Sequence, residues 1–314
     1  MLRASPPDRL APVNGRPHLR ATWVSALPKL LLLGLSLLLG GCEATLFAGL
    51  NATDQRQGIV AQRSVEFDKQ QHLALDVYRP IHAIHAPVVV FFYGGSWVRG
   101  QRNWYRFVGA SLASHGVTVV IPDYRKYPQV TMDGFMHDAA EAVAWTFDHA
   151  EELDASPEDI FIMGHSAGGQ IAALLATDPS WLTAYGRRPN DLAGLIGLAG
   201  CYDFVPIPPF EKDMLDVFGR STQEQLRAEP VHFVTGHEPP MLLLHGTADK
   251  EVDIANTYSL DNAMLAQHED VTMRVYPGMG HSSLVFSLSR PLGHEYVLKD
   301  ILDFISRHQT AEHK

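Results

Sequence analysis

Ser166, Asp249 and His281 are the residues of this chain best placed to do covalent chemistry together. Ser166 lies in Gly164-His165-Ser166-Ala167-Gly168-Gly169. An apolar run, Ile160 to Met163, precedes this segment, and a small-residue apolar stretch, Gln170 to Ala176, follows it. The order reads as strand, abrupt turn, helix. Glycines let a backbone turn sharply because they carry no Cβ. A serine on such a turn is held out at the mouth of a site. The next amide, that of Ala167, falls at a helix N-terminus, where unpaired N–H groups favour a developing oxyanion. A serine hydroxyl is a weak nucleophile. It needs a base, and the base needs an orienting carboxylate. A G-x-S-x-G segment alone also arises as a plain glycine turn, so the partners decide its meaning.

Those partners lie downstream. Met241 to Leu244 is an apolar run that leads through His245-Gly246-Thr247-Ala248 to Asp249. Val271 to Tyr276 reads as another strand and runs into Pro277-Gly278-Met279-Gly280-His281-Ser282. Acid and base therefore each follow a strand on a loop, where open α/β sheets place their active sites. Asp253 competes with Asp249, but it lies further from the strand and reads as the start of the next helix. His245 precedes the acid and sits too near its own strand to serve as base. His294 belongs to the final helix region. An oxyanion also needs a second donor. Val88 to Tyr93 is a buried-strand pattern, and Gly94-Gly95-Ser96-Trp97 follows it. Two glycines there let backbone amides of Gly94 and Gly95 approach a substrate oxygen. Trp97 either lines the substrate pocket or packs under the loop.

With these segments in view, the chain resembles the α/β-hydrolase superfamily. Within it, the chain is similar to the esterases with an His-Gly-Gly-x-Trp loop: hormone-sensitive-lipase-like carboxylesterases, feruloyl-esterase-like proteins and prenylcysteine methylesterases. The matching segments are Gly94 to Trp97, Pro122-Asp123-Tyr124-Arg125, Gly164 to Gly169, His245-Gly246 with Asp249, and Gly280-His281-Ser282. Asp123 to Gln129 with Asp138-Ala139 looks most like the last two branches. The likeness covers about residues 60 to 310. It implies hydrolysis of a small-molecule carboxylic ester, by a Ser166–His281–Asp249 triad and an acyl-enzyme, without a cofactor. It admits two alternatives, an arylformamidase-type amide hydrolase and a non-catalytic binding protein on the same scaffold. One position departs from the pattern: Tyr93 stands where the family usually has histidine. That bears on the set of the loop and on the substrate class.

The elements that must position these residues alternate between strand and helix patterns from about Val65 to Ile305. Leu73–Tyr78, Val117–Ile121 and Leu192–Ala199 read as strands. Residues 104–115, 133–151, 256–267 and 295–308 read as helices. The expectation is one α/β-hydrolase domain over 60–310, with a mainly parallel sheet and helices on both faces. Residues 201–238 break the rhythm with Pro206, Pro208, Pro209 and Pro230. Two short helical stretches there suggest a small cap, either a partial lid or a plain connection.

The N-terminus reads separately. Arg3, Arg9, Arg16, Arg20 and Lys29 precede an apolar run, Leu30 to Leu39, too short to span a bilayer comfortably. It ends in Leu39-Gly40-Gly41-Cys42, which resembles a bacterial lipoprotein signal. The resemblance implies cleavage of 1–41, lipidation of Cys42 and membrane attachment through that lipid, with 42–59 as a linker. Glu43 in place of aspartate mildly favours the outer membrane. Incorporation of labelled palmitate at Cys42 tests this against an ordinary signal segment. The full chain has a formal net charge of −10, and removing 1–41 makes it more acidic. Such a charge disfavours nucleic acid as a partner. Cys201 is the one other cysteine, so no intrachain disulfide is expected. His82 and His85 lack a third ligand nearby, and no metal is expected.

Overall fold

The computed structural model describes residues 43–54, 56–82 and 84–310. The chain divides into two units, Met1–Thr45 and Leu46–Lys314. The expected signal segment and Cys42 lie outside the described residues. Among the described residues, no helix is long and apolar enough to cross a membrane.

The second unit is built on an eight-stranded sheet in the order β1-β2-β4-β3-β5-β6-β7-β8. The strands are β1 Ile59–Asp68, β2 Leu73–Pro80, β3 Ala86–Phe92, β4 Thr118–Pro122, β5 Ala155–His165, β6 Gly194–Leu198, β7 Met241–Gly246 and β8 Val271–Tyr276. β1 pairs antiparallel with β2, and β2 antiparallel with β4. From β4 through β8 every pairing is parallel. β3, β4, β6 and β7 are buried at every position. Successive side chains of a strand point to opposite faces, so both faces of this sheet are covered. This is the α/β-hydrolase architecture.

The helices of this unit are α2 Arg106–Ala113, α3 Met132–Asp148, α4 Ala167–Thr177, α5 Pro179–Thr183, α6 Lys212–Phe218, α7 Thr222–Leu226, α8 Ala255–Ala266, α9 His281–Phe286 and α10 Glu295–His308. In α10 the buried residues are Val297, Ile301, Phe304 and Ile305. That spacing is one apolar face of a helix, and it turns the rest of α10 to solvent.

Two expectations change. The stretch 42–59, expected as a linker, carries a helix, α1, described over residues 43–53. Phe47 and Leu50 of α1 are buried. Phe47 stacks on Trp104 with ring centroids 5.1 Å apart. Asn51 Nδ2 donates to the carbonyls of Asn103 and Trp104, and its Oδ1 accepts the Phe107 amide. One side chain thereby satisfies backbone groups at the start of α2, which has no cap of its own. The second change is β1. Its burial alternates poorly and most of it is exposed, so no apolar pattern marked it as a strand.

The 201–238 segment carries α6 and α7 and closes on itself. Glu229 is buried, and its carboxylate accepts the amides of Phe204 and Val205 at 2.5 Å each. Asn256 on α8 accepts the amides of Tyr202 and Asp203. Ser221 and Glu224 form a reciprocal capping box that starts α7.

Candidate active site

β5 ends at His165, and α4 begins at Ala167, so Ser166 alone makes the turn. Its backbone has φ +56° and ψ −122°. For a residue with a side chain this conformation costs about 1–3 kcal/mol and persists only where neighbours over-determine it. Here the Ser166 amide donates to Leu198 O at 3.0 Å, and the amides of Gly169 and Gln170 donate back to Ser166 O. The flanking glycines are there for close approach. A Cβ on Gly164 would lie 2.0 Å from Gly168 O, and one on Gly168 would lie 2.1 Å from Phe92 O. The elbow thus folds tightly against the end of β3.

The loop after β3 reaches the same point. A Cβ on Gly94 would lie 3.1 Å from Ser166 Cβ. No hydrogen bond among the described residues takes up the amide of Gly95 or of Ala167. Two elements therefore bring free donors to the serine. Behind this loop, Tyr93 is fully buried. Its hydroxyl donates to Asp123 Oδ1 at 3.0 Å and receives the Lys126 ammonium at 3.1 Å. Arg102 bridges Asp123 and Asp76. Burial, and then the Asp123 charge, push the Tyr93 phenol well above its usual range. Burial lowers Lys126. Tyr93 is thus a neutral anchor at the root of the loop, where the resembling family has histidine.

Asp249 and His281 meet at the ends of β7 and β8. His281 Nδ1–H donates to Asp249 Oδ2 at 2.8 Å, which leaves the Nε2 lone pair free. The tautomer follows from the carboxylate, which can only accept. Asp249 Oδ1 accepts the amides of Glu251 and Val252. Burial alone would raise the Asp249 carboxyl. The Val252 and Glu251 amides and the His281 imidazole outweigh it and hold the group below the usual carboxylate range. Asp253 instead accepts the Ala255 amide at the start of α8. Ser166 Oγ carries no hydrogen bond among the described residues. Catalytic contacts of this kind are often loose before substrate tightens the site.

Two further histidines crowd this pair. His245 is fully buried, with Nε2 3.3 Å from Asp249 Oδ2 and 3.1 Å from Val252 O, and Nδ1 2.7 Å from Thr257 Oγ1. It lies too close to β7 to act as base, yet the turn brings the acid back against it. It was legible only as part of His245-Gly246-x-x-Asp249, not as a partner of the acid. His165 Nε2–H donates to the His281 carbonyl at 3.2 Å, and the two rings lie 4.7 Å apart. Glu251, which is exposed, comes within 3.9 Å of His281 Nε2. Burial, with the Asp249 charge adding to it, pushes the Cys201 thiol up to about 12, which leaves little thiolate near neutral pH.

Burial, helped by the neighbouring His281, pulls His165 down to about 3. Burial lowers His245 as well. An unfolded histidine titrates near 6.5. Below that pH the unfolded chain takes up protons that the folded chain refuses. For His165 this contribution to stability is therefore complete above about pH 6.5 and is lost as pH falls toward 3, at about 1.4 kcal/mol per pH unit. Urea midpoints at pH 7.5, 6 and 5 should fall more steeply for the wild type than for His165→Gln. Equal slopes would mean that His165 takes its proton in the folded state.

Trp97 packs beneath the loop and is 3% exposed. Its indole N–H donates to Gln170 at 3.0 Å, and its ring meets Phe218 of α6 edge-on at 4.7 Å. So placed, it shows little surface, which accords with the second of its two readings, packing under the loop.

A family model described as BD-FAE matches residues 75–264. The isoprenylcysteine alpha-carbonyl methylesterase ICME of Arabidopsis thaliana is 25% identical over 265 residues, 78% of this chain and 62% of that protein. Esterase LipC of Mycobacterium tuberculosis is 27% identical over 240 residues, 71% of this chain and 60% of that protein. The chain thus spans less than two thirds of the length of these relatives. Among solved structures, a phosphonate-inhibited esterase B from Lactobacillus rhamnosis superposes with a TM-score of 0.74 at 21% identity, over 88% of this chain and 95% of that one. That likeness is one of fold.

Proposed function

The chain belongs to the BD-FAE family, and from that premise we propose that it is a serine hydrolase of carboxylic esters. The observation that carries the reading is the 2.8 Å bond from His281 to Asp249 past the ends of β7 and β8, which run parallel to the strand that ends in the Ser166 elbow. It fixes an imidazole with one nitrogen free to act as base. The relatives named as esterases support the same reading.

In the proposed mechanism, Ser166 Oγ attacks the acyl carbon while His281 Nε2 takes its proton. Charge gathers on the carbonyl oxygen. The amides of Gly94, Gly95 and Ala167 are the donors offered to it. Asp249 holds the imidazole tautomer and stabilises the imidazolium. His281 then gives its proton to the leaving alcohol, and the acyl group stays on Ser166. Water, deprotonated by His281, attacks this acyl-enzyme; the acyl–Oγ bond then breaks, the acid leaves, and His281 returns the proton to Ser166 Oγ. Every proton passes through one nitrogen, so its lone pair must be free at the start of each half-reaction.

A fluorophosphonate probe tests the proposal, since it reacts with a serine only when a base activates it. Intact-mass and peptide analysis should find one adduct, on Ser166. Folded protein that hydrolyses no short-chain p-nitrophenyl ester and takes no adduct would speak for a binding protein on this scaffold.

A further inference from the structure

The loop that offers the Gly94 and Gly95 amides is held in a high-energy shape. Gly95, Ser96 and Trp97 all have left-handed backbone, with φ of +133°, +53° and +59°. For Ser96 and Trp97, which carry side chains, this conformation is strained. Contacts must hold the loop there. Val98 and Arg99 donate to Gly95 O at 3.1 and 3.0 Å, and Tyr127 donates to Trp97 O at 3.0 Å. One side-chain bond completes the set, from Trp97 Nε1–H to Gln170 Oε1 at 3.0 Å.

Gln170 is fully buried and lies on α4, whose first turn also carries the Ala167 amide. Its own amide donates to Ser166 O at 3.2 Å. Its Nε2 donates to Ala228 O at 2.9 Å, near the end of the 201–238 segment. A single buried carboxamide thus belongs to the nucleophile helix, accepts from the loop after β3 and donates to the cap. Both of its ends are satisfied, as burial of an amide requires.

We propose that Gln170 is a positioning residue that sets the spacing between the two halves of the oxyanion site by pinning Trp97. The bond to Ala228 seats the cap against the same clamp. This rests on the esterase reading above. Ground-state substrate is held mostly by pocket walls, so it tolerates a looser loop. The transition state is less tolerant, because its oxygen needs donors from both the loop and α4 at hydrogen-bond distance. Loosening the clamp should therefore lower kcat and spare KM.

The test is Trp97→Phe, Gln170→Met and the double variant, in the full chain. Trp97→Phe keeps an aromatic ring and removes the N–H. Each single variant should lower kcat for p-nitrophenyl butyrate about tenfold to a hundredfold, with KM within about twofold. Affinity for an alkyl trifluoromethyl ketone, which places an oxyanion in the site, should fall in proportion to kcat. The double variant should lose no more than the worse single one, because both act through the same bond.

A folded Trp97→Phe protein with wild-type kcat overturns the inference. So does a raised KM with kcat unchanged, since Trp97 would then be a pocket wall. Should Gln170→Met not fold, Trp97→Phe still decides. Failure of the esterase reading is separate: the wild type itself would then take no fluorophosphonate adduct.

Discussion

Ser166→Ala should lower kcat for p-nitrophenyl butyrate by about 10³-fold or more and leave the melting temperature close to that of the wild type. The hydroxyl carries the covalent bond of the acyl-enzyme, so nothing replaces it. Losing one member of such a triad disables the others, because they act as a unit. The fold has little stake in this atom, since Ser166 Oγ makes no hydrogen bond among the described residues. The backbone bonds to Leu198, Gly169 and Gln170 that hold the elbow survive the change. Alanine at φ +56° is no more strained than serine there. Circular dichroism and a melt establish the fold, and initial rates establish the loss. A folded variant with near-wild-type turnover would remove Ser166 from the mechanism.

Asp249→Asn should cost almost as much, about 10³- to 10⁴-fold in kcat. The physical reason is which oxygen becomes nitrogen. Asp249 Oδ1 accepts two backbone amides, so the asparagine oxygen stays there. The new NH2 then faces His281 Nδ1 and donates to it. That forces the proton onto Nε2, the nitrogen that must take the serine proton. Asp253→Asn keeps the acceptor for the Ala255 amide and should leave kcat within about twofold. The reverse pattern, with Asp253→Asn inactive and Asp249→Asn active, would move the acid.

The chemistry-bearing residues were legible because each follows a strand directly. Apolar runs at 88–93, 160–163 and 241–244 and a mixed strand pattern at 271–276 mark the strands, and Gly94, Ser166, Asp249 and His281 stand at or just past their C-terminal ends. Parallel strands from βα units put those ends on one side of the sheet. The partnership of Asp249 with His281 follows from that placement. Other features were not legible, each for a different reason. β1 is exposed along most of its length, so it lacks an apolar stripe. α1 is anchored by Phe47 and Asn51, two residues whose partners lie more than fifty positions away in sequence. Gln170 reads as one polar residue in an apolar helix; only its two partners, at 97 and 228, give it meaning. The role of Trp97 stayed open because a tryptophan after a glycine turn packs as readily as it lines.

Glu229 has a consequence for how this protein can change. Its carboxylate draws Phe204 and Val205 to within 2.5 Å, so the chain leaves the body of the fold and returns to it at nearly one place. Everything between those points, including α6 and α7, is a closed excursion from a fixed base. The entropy of closing such an excursion grows only with the logarithm of its length, about 0.6 kcal/mol for each doubling. Insertions in the exposed stretch 208–213 therefore carry a small closure cost, whereas Phe218 and Ala228 are bound to the body through Trp97 and Gln170 and must be kept. The sheet, the elbow and the Asp249–His281 pair lie outside that excursion. The excursion can thereby grow or shrink at its exposed turn while the contacts that tie it to α4 and to the loop after β3 stay in place.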